Sequence, residues 1–130
     1  MNRENCLGVM IDCSRNAVMN INTLKKFIVN LEKMGYNSLM LYTEDTYEVD
    51  NQPYFGHLRG RYSKDEIREI DSFAKQHNIE LMPCIQTLAH LDGIIRWDNY
   101  KAISDIDNIV CIGEEKVYEL IDNMFSTIKS

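Results

Sequence analysis

The chain contains no apolar run approaching the ~20 residues of a membrane-spanning helix, and its opening stretch, MNRENCLG, has no apolar signal region. No membrane partner and no export are expected, which makes the cytoplasm the expected compartment. Positive charge is in deficit: 14 Lys and Arg against 20 Asp and Glu give a formal charge of -6. Such a surface disfavours nucleic acid and anionic lipid. Glycine-rich phosphate loops of the form GxGxxG or GxxxxGK[ST] are missing, as is the GxSxG nucleophile turn. Nucleotide-binding and serine-hydrolase chemistries lose support, and no cofactor is expected. The four cysteines form no C-x-x-C pair and are expected to be reduced thiols. Cys84 lies in an apolar strand pattern, where a small buried hydrophobe is the default and a thiol nucleophile the alternative. His57, His77 and His90 lack the paired spacing of a zinc site, so no metal is expected. There is no low-complexity segment and no linker. The 130 residues suit one domain, 1–130.

What is present is an alternation of two periods. CLGVMID (6–12), NSLMLYT (37–43) and IELMPCI (79–85) are short, apolar and strand-like. Between and after them lie three segments of helical period. In the first, 22–35, Leu24, Phe27, Ile28, Leu31 and Met34 share a face, and Gly35 closes the pattern. The second, 63–78, opens with Ser63 and Glu66 spaced as a capping box. His77 falls in its last turn, where a cation favours the helix dipole. In the third, 114–129, Val117, Leu120, Ile121, Met124 and Ile128 align. The order β-α-β-α-β-loop-α predicts a parallel α/β sheet with right-handed crossovers. Loops before strands are short, whereas those after strands (13–21, 43–62 and 86–113) are long. In such folds the loops after the strands build the site.

Three polar clusters fall at that edge: Asp12, Ser14, Arg15 and Asn16 after the first strand; Tyr42, Glu44, Asp45 and Tyr47 after the second; Gln86, Thr87 and His90 after the third. One such cluster is ordinary turn chemistry, and Asp12 with Ser14 would cap a turn. Three at one edge point to a site. Each member keeps its plain alternative: Glu44 and Asp45 as a solvated loop, His90 as a structural histidine. Trp97, Tyr54, Phe55 and Tyr62 would stack on a sugar ring or, as the default for any one aromatic, fold the long loops onto the body.

In series, these motifs resemble the family 20 glycoside hydrolases, the β-N-acetylhexosaminidases, and among them the hexosaminidase D-like branch. GVMIDCSRNAV resembles that family's first barrel strand, LMLYTEDTYE its second, and RYSKDEIREIDSFAKQHNIELMPCIQTLAHL the helix and strand leading to a loop with a histidine. CIGEEKVYELIDNMF resembles the helix after strand three. The resemblance implies a (β/α)8 TIM barrel, of which this chain would hold the first three units; a complete barrel needs ~250 residues. It implies hydrolysis of terminal N-acetylhexosamine from a glycan by a retaining mechanism in which the substrate's own acetamido carbonyl attacks the anomeric carbon. It also implies an Asp-Glu pair after strand four, where Asp orients the acetamido group and Glu protonates the leaving group. The chain's one Asp-Glu dipeptide, Asp65-Glu66, is explained by the capping box, so the isolated chain is expected to be inactive. His90 would form a supporting relay with Asp45, or with Glu44 if the register slips by one. Asp12, Arg15, Arg61, Gln86 and Trp97 would bind substrate. Leu7 stands where better-known members carry a sugar-binding arginine; either Arg15 or Arg61 would take over its contacts, or the sugar preference differs.

Two other readings stand beside this one: a non-catalytic three-layer α/β interaction module, and another barrel hydrolase using metal. A partial barrel would leave Met10, Leu39, Leu41, Leu81 and Cys84 uncovered and would favour a homo-oligomer through the exposed edge.

Overall fold

A computed structural model describes residues 6–15 and 17–129; Asn16 of the first polar cluster lies outside them. Strands β1 (Gly8–Asp12), β2 (Ser38–Thr43) and β3 (Glu80–Ile85) form a parallel sheet in that order. Helices α1 (Ile21–Lys33) and α2 (Lys64–Gln76) make the crossovers. The expected α/β class and strand direction hold.

Local chemistry sets the helix ends. The Asn20 side chain accepts from the Thr23 N–H at 2.9 Å and starts α1. Gly35, at φ +82°, takes the left-handed turn that ends it. Met34 lies past the last turn and is 60% exposed, so it drops out of the expected buried face. At α2 the capping box forms: Ser63 Oγ accepts from Glu66 N–H, and Glu66 Oε2 accepts from Ser63 N–H at 2.8 Å. His77 caps its C-terminus, with Nδ1 2.6 Å from Glu32 Oε2, which links α2 to α1.

Both crossover helices cover one face of the sheet. Leu24, Ile28 and Leu31 of α1 and Ile70 and Ala74 of α2 share a core with Leu39 and Leu41, joined by Val9, Ile11 and Leu81. Two layers result, not three. The register pairs Met10 with Met40 and Met40 with Met82, and alternation points these residues away from the helices. Met10 is 58% exposed. Leu39 and Leu41, expected on the uncovered face, are buried under the helices instead, and Leu81, in register with Leu39, packs on the same side. Alternate strand residues face opposite ways, and the row that includes Met10 contains Met40, not Leu39 or Leu41.

The loop 86–113 is more built than its sequence suggests. It contains a one-turn helix α3 (Asp92–Ile95), a 3-10 helix (Asp98–Ile103) and a small antiparallel hairpin of β4 (Ser104–Ile106) and β5 (Ile109–Val110). These are too short to show a period. Helix α4 (Glu115–Lys129) follows. Val117, Leu120 and Met124 of α4 bury a second core with Tyr47, Phe55, Leu91, Ile94 and Tyr100 from the loops after β2 and β3. The long loops therefore share hydrophobic packing and form a platform at the C-terminal edge of the sheet.

Candidate functional site

The polar edge begins with a turn. Asp12 Oδ1 accepts from the N–H groups of Ser14 (2.9 Å) and Arg15 (3.2 Å), which folds the chain back as it leaves β1. That turn aims Arg15: its Nη1 meets Asp12 Oδ2 at 2.7 Å, its guanidinium lies 5.3 Å from the centre of the Tyr42 ring, and Nη2 is 3.4 Å from Glu44 Oε1. Tyr42 Oη donates to the same Glu44 oxygen at 3.0 Å. Buried Ser14 offers Oγ to the Glu44 N–H at 2.7 Å, tying the loop after β1 to the end of β2. The Arg15 hydrogen bond and the Ser14 N–H together hold the Asp12 carboxyl below the usual carboxylate value. Burial pushes the Tyr42 phenol up, and the bond to Glu44 adds to this.

Asp45 has a different setting. It is fully buried, and neither side-chain oxygen has a hydrogen-bond partner. The charge facing it most closely is Arg59, Nε to Oδ1 at 3.2 Å. Burial raises its carboxyl above the ordinary value; Arg59 and Arg96 oppose the rise and Asp92 adds to it. Arg59 also donates from Nη2 to the Ser14 carbonyl. Its sequence context, GHLRGRY, holds no signal that would single it out from Arg61.

The other expected site residues spread around this edge. Arg61 donates from Nη1 to the carbonyl of Phe55 and, at 3.4 Å, to that of Pro53, bracing its own loop. Gln86 is half-buried and continues the ladder through its N–H to Thr43 O. Trp97 contacts the rings of Tyr54 and His57, with the Arg96 guanidinium 5.0 Å from its centre. Its neighbours occupy much of its ring surface. Phe55 and Tyr62 are buried, so both fold loops onto the body. Cys84 is half-buried.

His90 is exposed, with left-handed backbone at φ 59°, and no hydrogen bond or ion pair joins it to Asp45 or Glu44. Its loop is held by the hairpin after it: Val110 N–H bonds Leu88 O and Leu91 N–H bonds Asn108 O. The structure thus brings together Asp12, Arg15, Tyr42 and Glu44, sets Asp45 beneath Arg59, and leaves His90 apart. Among the described residues no group of three His, Cys, Asp or Glu side chains is placed to hold a metal. A cavity of about 350 Å³ lies elsewhere, on the helix-covered face between α2 and the end of α4, with Leu41, Ile67, Leu81 and Ile85 in its wall.

A parallel sheet with its polar side chains gathered at the C-terminal strand ends is the arrangement of an α/β enzyme site. Solved structures similar to this one belong to that class. A Streptomyces plicatus N-acetyl-β-hexosaminidase matches with a TM-score of 0.83 and 19% identity, over 97% of this chain and 30% of that one. A family 20 exo-β-N-acetylglucosaminidase from Vibrio harveyi, solved with N-acetylglucosamine, matches with a TM-score of 0.82 and 20% identity, over 93% of this chain and 25% of that one. At these identities the likeness is one of fold. In sequence the chain is similar to hexosaminidase D: 32% identical to the Bos taurus protein over 70 residues, 50% of this chain, and 24% identical to the Homo sapiens protein over 102 residues, 75% of this chain. The chain spans 19–20% of the length of these relatives. No family model matches it. The resemblance to family 20 drawn from the motifs is thus carried by both sequence and fold.

Proposed function

We propose that this chain is the part of a β-N-acetylhexosaminidase that forms the first three units of a (β/α)8 barrel, and that the protein removes terminal N-acetylhexosamine from glycans. The observation that carries this reading is the cluster of Asp12, Arg15, Tyr42 and Glu44 at the C-terminal ends of β1 and β2. The likeness to hexosaminidase D supports it, as does the placement of both crossover helices on one face, which a closing barrel requires. In this reading Arg15, 55% exposed along its side chain, supplies the sugar-hydroxyl contacts that Leu7 cannot make. Asp45, beside the loop that carries His90, is the acid that the histidine approaches when the site is occupied. The substrate's acetamido group attacks the anomeric carbon. Asp65 is exposed and paired with Arg68, and Glu66 is engaged in the capping box that starts α2, so in this reading the 130 residues alone do not hydrolyse glycosides. We assign the protein to the cytoplasm and expect the chain to self-associate through its uncovered sheet face.

Titration with N-acetylglucosamine, followed by amide NMR, tests the reading. Shifts are expected at Arg15, Tyr42 and Glu44 and are lost in Arg15→Ala. Unmoved resonances at all three would overturn it, and turnover of an aryl N-acetylglucosaminide by the isolated chain would overturn the inactivity.

A further inference from the structure

Asp45 is fitted from three sides, two of them at its buried carboxylate and one at its backbone carbonyl. On one, Gly93 presents its Cα so closely that an added Cβ would stand 2.2 Å from Asp45 Oδ2. On another, Gly56, at φ +65°, passes so near that a Cβ would stand 2.0 Å from the Asp45 carbonyl. On the third, Arg59 reaches in with Nε 3.2 Å from Oδ1. Arg59 continues past the acid to donate to the carbonyl of Ser14, in the loop after β1. One guanidinium thereby touches the loops after β1 and β2, while Gly93 sets the loop after β3 against the same carboxylate. Arg59 is itself half-buried, with its side chain 28% exposed, so this pair is screened less than a surface ion pair.

We propose that Arg59 is the positioning residue of this site: it holds the Asp45 carboxylate against Gly93, while Gly56 packs on the Asp45 backbone, and fixes it relative to the loop after β1. The glycosidase reading gives this placement its purpose, but the placement stands on geometry alone. A buried carboxylate without hydrogen-bond donors takes up a proton unless a cation opposes it. The groups facing Asp45 are Arg59 and Arg96, which favour the charge, and Asp92, which disfavours it. The Tyr47 phenol is pushed up mainly by its own burial, with Asp45 adding, and brings no charge to the balance. Arg59 is the cation in direct contact. A lysine can supply the charge but not both contacts, because its single ammonium cannot span the carboxylate and the Ser14 carbonyl as a planar fork does.

The test is the titration of Asp45 by carbon-detected NMR of its carboxyl in the 130-residue chain. Arg59→Met is expected to move the midpoint upward by about one pH unit or more, the size of a lost adjacent cation. Arg59→Lys is expected to recover part of that shift. Because Arg59→Met can fail to fold, the unmutated chain carries a second readout: the Arg59 Nε–H resonance must inflect at the Asp45 midpoint. An unchanged midpoint in Arg59→Met, or an Arg59 Nε–H that ignores Asp45, overturns the proposal and leaves the sugar reading untouched. Failure of N-acetylglucosamine to perturb the polar edge defeats the sugar reading and leaves this one standing.

Discussion

Gly93 and Asp45, 48 positions apart in the sequence, are in such close contact that a methyl group on Gly93 would stand 2.2 Å from the carboxylate oxygen. The side chain at 93 is therefore chosen by the acid at 45. Gly93→Ala is expected to destabilise the chain by about 1–3 kcal/mol, the cost of forcing one carbon into a packed site. Shortening the acid relieves it: in a double-mutant cycle, Gly93→Ala combined with Asp45→Ala should cost less than the sum of the single changes. Urea unfolding of the four proteins measures this, and additive losses would separate the two residues.

Asp45 is also expected to weaken the fold as pH rises. Its folded-state value is raised, so between the unfolded and folded midpoints the native state binds more protons than the unfolded one. Stability then falls as pH climbs through that window and stays lower above it. Asp45→Asn removes the charge and is expected to be more stable at pH 7, by on the order of 1 kcal/mol, because it no longer buries a poorly solvated carboxylate. The difference from the unmutated chain should vanish toward pH 3. Melting temperatures across that range check the sign.

The Ser63–Glu66 capping box predicts a simpler loss. Ser63→Ala leaves the Glu66 N–H at the head of α2 without its acceptor and is expected to cost about 1 kcal/mol. Glu66→Gln keeps the return bond to the Ser63 N–H and should cost much less. Chemical denaturation of both variants distinguishes the cap from a general surface effect.

These cases mark how far the sequence could be read. The capping box, the Gly35 stop and the buried face of α1 depend on residues within one or two turns of each other, so the helices and strands were legible. The polar edge was legible too, since Asp12, Arg15, Tyr42 and Glu44 leave neighbouring strands at one end. Parity was not: a strand's alternation shows that Leu39 and Leu41 face together, but only packing against α1 and α2 decides which way. Arg59 was hidden because its partners, Ser14 and Asp45, meet it through tertiary contact rather than spacing. The elements inside 86–113 were hidden because segments of two to six residues show no period.

The uncovered sheet face leads to the last prediction. Met10 pairs in register with Met40, and Met40 with Met82, across all three strands on the side away from α1 and α2. Thioether side chains adapt to many partners, and apolar rows left exposed recruit them. Self-association of the chain is therefore expected to run through this row. Met10 is its most open member at 58% exposure, so Met10→Glu, which places a charge in the contact, should weaken association by about tenfold, or ~1.4 kcal/mol. Met34 is as exposed, at 60%, but caps the end of α1, so Met34→Glu serves as the matched control and should change little. Sedimentation velocity over a concentration series compares the three proteins. Equal weakening by both substitutions would show that net charge, not the methionine row, governs association. A monomer at every concentration in the unmutated chain would remove the sheet face as a contact altogether.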